Sequence, residues 1–471
     1  MPVPTATEPF PDLSASLSIH VVGAGGPGMS PIATVLAAMG HSVSGSDIRE
    51  SAVLDRLRSR GVRVFVGHDP ANISATTDLV VISTAIPSDN VEVVSAGERS
   101  IPVVGRSPVL QSFASMRRTI AVAGTHGKTT TASMLALILR AAGSKPSFII
   151  GGEVLDLDTS ADWDSGEWFV IEADESDGSG FSVTPELTLV TNIEPDHLEY
   201  HGSVENLHSA FAAFMKSTSG QCIVCADDDV AAELGKAAGA LSYGQSPLAD
   251  VRIVDLHSGR DGCTFGVEHN GVQLGTVHLP LPGVHNALNA CAAIAIALKV
   301  GIEFAVASQA LAAFGGVGRR FQARGETAGV TFIDDYAHLP TEIAAAVSAA
   351  RDGDWRRLVV VFQPHRYSRT ASLWHEFADA FEGADQLVLT DIYAAGESPR
   401  DGVSGKLIVD AVLGSHSQRN VAYVPVRSEL AAFLASRLRA GDLCLTLGAG
   451  DLTDIPDEVQ QLLSAKVRAE R

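Results

Sequence analysis

Short apolar runs recur along the chain, each ending in small, glycine-rich or acidic residues before a longer stretch with helical spacing. The first, 17–22, leads into Gly23-Ala-Gly25-Gly26-Pro-Gly28-Met29-Ser30, a helical stretch to about Met39, and a second strand ending at Asp47. Residues 62–66 and 79–83 read as further strands. Strands alternating with helices predict a parallel α/β sheet over 17–115. The pattern restarts at 118–123, followed by Gly124-Thr125-His126-Gly127-Lys128-Thr129-Thr130 and an Ala/Leu-rich helix to Ala142. Strands at 168–171 and 187–190, a strand-rich patch near 250–280 and an Ala-rich helix after Pro282 extend this unit over 116–316. Strands at 330–333, 358–362, 386–389 and 443–447 alternate with helical segments in a third unit, 317–471. The expected fold is α/β in three domains: Rossmann-like at the N-terminus, a central domain that opens on a P-loop-type glycine loop, and a Rossmann-like α/β domain at the C-terminus. Residues 1–16 are expected to be a flexible tail.

Length agrees with this division, since 471 residues at roughly 150 per domain make about three. Composition, 46% apolar and 19% charged, is that of a globular protein. A net charge of −21 argues against nucleic acid or an anionic membrane as partner, because both demand a basic face. The first eighteen residues have no Lys or Arg and no apolar centre of the kind a signal peptide carries. The longest nearly apolar run, 287–298, is too short to span a bilayer. A soluble, cytoplasmic protein is expected, and its oligomeric state is not legible. Five cysteines include Cys222-Ile-Val-Cys225, which reads as a buried strand; no second pair completes a zinc site, so reduced core thiols are expected.

The strongest chemical signal is Gly124-Thr125-His126-Gly127-Lys128-Thr129 between a strand and a helix. Such a loop wraps backbone N–H groups around phosphates at a helix N-terminus, with Lys128 reaching the β/γ-phosphates and the Thr129 hydroxyl ligating Mg²⁺. Val122 stands where the usual motif has its first glycine. The reading is an ATP site. Glu172-Ala-Asp174-Glu175-Ser-Asp177 follows the strand at 168–171, where an open sheet binds ligand, and offers oxygens to a magnesium ion; a solvated acidic loop is the plainer alternative. His197, past the strand at 187–190, reads equally as a metal ligand or as a capping or core histidine. Gly23-x-Gly25-x-x-Gly28 with Asp47 fits the dinucleotide fingerprint, for which NAD, FAD or a nucleotide sugar would all serve. Late in the chain Arg319-Arg320 and His365-Arg366-Tyr-Ser-Arg369 suggest forks for carboxylate or phosphate, against the alternative of paired surface arginines. Asp334-Asp335-Tyr336-Ala-His338 follows another strand.

Taken in order, these blocks resemble the Mur ligase family over nearly the whole chain from His20. They are the Gly25-Gly26-Pro-Gly28-Met29-Ser30 loop with Asp47, the Lys128 loop, the Glu172 stretch, Thr191-Asn-Ile with Asp196-His197, Pro282-Gly-Val-His285-Asn286 with Asn289, Arg319-Arg320-Phe-Gln322, Asp334 to His338, and Phe362 to Arg366. Within the family they resemble the member whose substrates are UDP-N-acetylmuramate and L-alanine, except that Leu339 stands where that member usually carries a second histidine. The resemblance implies an ATP- and Mg²⁺-dependent ligase of peptidoglycan precursor synthesis, joining L-alanine to the muramate carboxylate through an acyl phosphate. It implies a C-terminal domain closing over ATP. Carried to this chain, the ATP residues are Gly124, Thr125, Gly127, Lys128, Thr129, Thr130, His285, Asn286, Arg319 and Asp335. The UDP-substrate residues are Gly25, Gly26, Gly28, Met29, Ser30, Asp47 and Ser83. The metal ligands are Thr129, Glu172 and His197. Arg320, Tyr336, His338, His365, Arg366 and Arg369 fall on the amino-acid side, with Lys128, His338 and Arg366 as catalytic candidates. The rivals are a sister ligase adding another amino acid or a recycled peptide, an NAD-dependent oxidoreductase, and a catalytically silent homologue.

Overall fold

In a computed structural model of the chain, residues 10–469 are described, so residues 1–9 of the expected tail lie outside the described residues. The chain divides into two compact units: residues to 254 with 267–275 and 288–311, and residues 255–266 with 276–287 and 312–471.

Three sheets carry the fold. The first has β1 (Ser18–Val22), β2 (Ser42–Asp47), β3 (Arg63–Val66), β4 (Leu79–Ile82) and β5 (Val103–Gly105), all parallel in the order β3-β2-β1-β4-β5. Chain direction across the sheet reverses on either side of β1, and such a switch point opens a crevice at the carboxyl ends of the strands. β1 is buried from Ile19 to Val22, and apolar there except for His20. The loop that follows therefore starts from a fixed base.

The second sheet contains β6 (Arg118–Ala123), β7 (Ser147–Val154), β8 (Thr159–Asp162), β9 (Trp168–Glu172), β10 (Leu187–Val190), β11 (Gln221–Cys225), β12 (Leu241–Gly244), β13 (Val251–Gly259), β14 (Gly262–His269) and β15 (Val272–Leu279). Its order is β15-β14-β13-β12-β11-β10-β6-β9-β7-β8. β6 is central and parallel to both β9 and β10, so three strand ends open on one edge. The third sheet contains β16 (Gln322–Thr327), β17 (Val330–Asp335), β18 (Arg357–Phe362), β19 (Gln386–Leu389), β20 (Val421–Tyr423) and β21 (Asp442–Leu447), in the order β16-β17-β21-β18-β19-β20. Only β16 runs antiparallel to its neighbour in this sheet.

All five cysteines are buried free thiols, with Cys222 and Cys225 in β11 as the apolar run suggested. No helix among the described residues is long and apolar enough to cross a membrane.

Candidate active site

The centre of the site is the turn between β6 and the helix Lys128–Ala141. The chain leaves β6 at Gly124 with φ +127° and enters the helix at Gly127 with φ +81°, conformations that cost a residue without Cβ little. Space makes the same demand, because a Cβ on Gly124 would collide with Thr191 Oγ1 and one on Gly127 with Asn289 Oδ1. The segment after β10 braces the loop from outside. Thr125 N donates to Asn192 O at 3.0 Å, His126 N to Asn192 Oδ1 at 2.8 Å, and Thr191 Oγ1 to His126 O. The first N–H groups of a helix lack intrahelical acceptors, and those of Lys128–Ala141 open into this turn, as phosphate binding requires.

Lys128 folds back over the loop it heads. Its Nζ donates to Gly124 O at 2.6 Å, Thr125 O at 3.2 Å and the Glu175 oxygens at 2.8 and 3.0 Å. The two side chains are only 11% and 2% exposed. Burial opposes the ammonium, but the carboxylates of Glu175, Asp174 and Glu172 outweigh it and hold Lys128 above the ordinary lysine range. Burial pushes the Glu175 carboxyl upward, and the ammonium works against that shift. Lys128 is thus a buried cation whose charge the neighbouring carboxylates sustain.

Thr129 and Glu172 meet directly, with Thr129 Oγ1 at 3.0 Å from both Glu172 oxygens, while Gly151 N donates to Glu172 at 2.7 Å. Thr130 is buried in the same helical turn. Asp174, Glu175 and His197 each place one ligand atom within 4.8 Å of the other two. The sequence-chosen donors Thr129, Glu172 and His197 therefore fall into two groups, one around Glu172 and one around His197. Hydroxyl and carboxylate oxygens suit a hard divalent cation such as Mg²⁺. His197 sits at φ +53° at the head of Leu198–His201 but makes no side-chain capping hydrogen bond there.

At the end of β1, Gly23 N and Ala24 N donate to Ser46 O, and Gly25 N donates to Asp47 Oδ2 at 2.9 Å. Asp47 thus clamps the glycine loop. Met29 N and Ser30 N both donate to Gly26 O, turning the chain into Ser30–Ala38. The Met29 side chain is buried in the core, so only its backbone is available to a ligand. Ser83 lies beside Gly23 at the end of β4, its Oγ about 4.0 Å from where a Gly23 Cβ would be.

The remaining candidates lie in the second unit. Tyr336 is flanked by the guanidinium groups of Arg319 and Arg320, 4.9 and 5.0 Å from its ring centre. Arg319 donates to Gly448 O at 2.7 Å and Gly450 O at 3.1 Å, which ties the end of β21 to the turn before β16. Asp335 accepts from Phe321 N and Ala337 N at 2.6 and 2.7 Å, and burial pushes its carboxyl up to about 6. The rings of Tyr336, His338, His365 and Tyr393 follow one another at 5.5, 5.7 and 5.7 Å between centres. His338 Nδ1 lies 3.1 Å from Tyr336 O, a contact that needs the proton on Nδ1, and 3.4 Å from Glu342 Oε2. Burial, then His338, Arg369 and Arg366, drive His365 down to about 3, and its Nδ1 accepts from Arg369 Nη1 at 3.2 Å. Arg366 adopts φ +69° and donates its N–H to Tyr393 O. His285 is neutral, held down to about 4 by burial, and Asn286 Nδ2 donates to Pro282 O. Leu339 is buried, and Glu342 Oε2 accepts the N–H groups of His338 and Leu339, so this departure from the family pattern is filled by packing.

Several residues at these sites escaped sequence selection. Glu175 was one carboxylate among four in its stretch, and nothing local marks it as the partner of Lys128. Asn192 and Asn289 reach the phosphate loop from distant segments, and Tyr393 joins the histidines through a bridge with His365. The signal available for Asn192 and Asn289 was their place in the family blocks.

Sequence profiles described as the Mur ligase family catalytic domain, the Mur ligase middle domain, and the Mur ligase glutamate ligase domain match residues 18–118, 122–297 and 319–450. The chain is 45% identical over 454 residues to a UDP-N-acetylmuramate–L-alanine ligase of a Geobacter species, covering 95% of this chain and 98% of that one. Among solved structures it resembles a UDP-N-acetylmuramate–alanine ligase from Thermotoga maritima, with TM-score 0.81 and 30% identity over 97% and 100% of the two chains. It also resembles a murein peptide ligase from Psychrobacter arcticus, with TM-score 0.69 and 25% identity over 95% and 99%.

Proposed function

The chain belongs to the Mur ligase family, and from that premise we propose that it joins L-alanine to the carboxylate of UDP-N-acetylmuramate at the expense of ATP, a cytoplasmic step of peptidoglycan precursor synthesis. The observation that carries this reading is Lys128, charged and buried at the head of a glycine loop whose shape Thr191, Asn192 and Asn289 enforce.

The chemistry explains the inventory. A carboxylate is a poor acyl donor because its leaving group would be oxide. Moving the γ-phosphoryl of ATP onto a carboxylate oxygen releases ADP and gives an acyl phosphate, whose leaving group is phosphate. The amine of alanine then attacks the carbonyl carbon, forms a tetrahedral oxyanion, and expels phosphate as the amide forms. Phosphoryl transfer asks the protein for position and charge more than for covalent work. Lys128 exchanges its carbonyl acceptors for phosphate oxygens while Glu175 keeps it oriented. Thr129 and Glu172, with His197 nearby in its own group, would hold Mg²⁺. When bound, that ion screens charge on the phosphates. In the second unit, neutral His365 and the Arg366 and Arg369 guanidiniums would take the amino acid's carboxylate. His338, beside His365 and Tyr336, is the acceptor for the ammonium proton that must leave before attack.

Phosphate release from ATP and Mg²⁺, with UDP-N-acetylmuramate and each amino acid supplied separately, tests the proposal. Release requiring both the muramate and alanine, with the matching amide by mass, is the expected result. Release with another amino acid or with a tripeptide would move the enzyme to a sister step. No coupled release from folded protein would overturn the substrate assignment.

A further inference from the structure

Arg106 opens the helix Arg106–Ser115 immediately after β5. Its Nη1 occupies the space over Gly28, 2.6 Å from where a Gly28 Cβ would be. The guanidinium is half-buried and has no hydrogen bond or ion pair among the described residues. A guanidinium in that condition has lost part of its water without gaining an acceptor, which is costly unless an anion completes it. The position itself is firmly built. Phe113 of the same helix packs against Trp163 and Phe169 at 5.7 and 6.3 Å, and the helix also packs on the short turn Gly180–Ser182 behind the acidic stretch. On that side Arg106 acts on Asp174: burial pushes the Asp174 carboxyl up, and Lys128, the hydrogen bonds of Ser176 and Arg106 more than reverse it.

We propose that Arg106 is the side-chain clamp for the diphosphate of the UDP-sugar, closing over the Gly25–Ser30 loop from the opposite wall. The inference rests on the UDP-N-acetylmuramate reading above. The glycine loop offers the diphosphate backbone N–H groups and a helix N-terminus; Arg106 adds a forked cation beside them. Gly28 acquires a specific reason. It carries no positive φ in this structure, so its backbone would tolerate a side chain, and what a Cβ would displace is the guanidinium.

Titration of the full-length protein with UDP, and separately with UDP-N-acetylmuramate, decides the matter. Arg106→Met should weaken both about 10- to 100-fold, the range for a hydrogen-bonded charge pair, while leaving the thermal midpoint and the KM for ATP near their wild-type values. Arg106→Lys should recover only part of the loss, since a point charge lacks the fork. Gly28→Ala should weaken UDP similarly and add little in the Arg106→Met background, because both changes remove the same contact. Undiminished UDP binding with a loss confined to UDP-N-acetylmuramate would place Arg106 at the muramate carboxylate and overturn the proposal. So would an equal loss of ATP affinity. Wild-type protein that binds no UDP would instead remove the UDP-sugar reading itself.

Discussion

Replacing Lys128 with methionine separates catalysis from stability in one residue. In the folded chain the ammonium satisfies two loop carbonyls and the Glu175 carboxylate, and the Glu175 side chain is 2% exposed. Taking away one partner of a buried pair leaves the other charge uncompensated, at a cost of about 3–5 kcal/mol. For a unit of this size that is a thermal midpoint lowered by roughly 5–15 °C. The penalty depends on pH. Without the ammonium, burial raises the folded-state pKa of Glu175 above its unfolded value of about 4.3. The folded variant then holds a proton that the unfolded chain has released, so its stability falls as pH rises from about 4.3 to that raised pKa. The deficit should be small near pH 4.5 and full near pH 8. Adding Glu175→Gln should restore most of the lost midpoint without restoring ligation. Scanning calorimetry of the wild type, both single variants and the double variant, at both pH values, with phosphate release measured alongside, makes the test. A Lys128→Met protein as stable as wild type at pH 8, or a double variant no more stable than the single, would mean that the pair does not bear on the fold as its geometry implies.

Glu172→Gln should raise the Mg²⁺ concentration needed for half-maximal phosphate release by about 10-fold or more, as loss of a ligating or orienting carboxylate does; an unchanged Mg²⁺ requirement would take Glu172 out of the metal site. Asp335, raised to about 6, contributes stability that is present below its unfolded pKa and lost as pH rises through the folded one. Stability of Asp335→Asn relative to wild type should therefore improve between about pH 4 and pH 6, by up to about 3 kcal/mol, and a flat difference in urea melts would contradict the burial of that carboxyl. Arg366→Ala should lower kcat by about 100-fold while changing the KM for ATP less than about threefold, an electrostatic loss confined to the reacting groups; steady-state kinetics with unchanged kcat would place Arg366 outside the reaction.

Where a strand is a continuous apolar run, sequence and structure agree closely: β6, β10 and β19 have the expected bounds. Among the strands not foreseen are ones whose apolar run is short, interrupted or absent. β16 alternates partly buried and exposed positions at a sheet edge, β20 is three residues long, and β7 ends in Gly-Gly-Glu-Val beside an antiparallel partner. Their strand state comes from a neighbour already in place, which local pattern does not report.

The sequence by itself determined that the chain would form repeated strand–loop–helix openings, and that two of them would carry glycine loops at the head of a helix. Periodicity and glycine spacing are local properties, and the constraint of φ at Gly124 and Gly127 is written in the residues themselves. Which charges face those loops was decided only by tertiary structure. Glu175 becomes the partner of Lys128 across 47 residues, Asn289 becomes the wall behind Gly127, and Arg106 becomes the neighbour of Gly28 because strand order places their segments together. Those pairings follow from where each strand sits in its sheet, a property of the whole packed chain that no window of sequence contains.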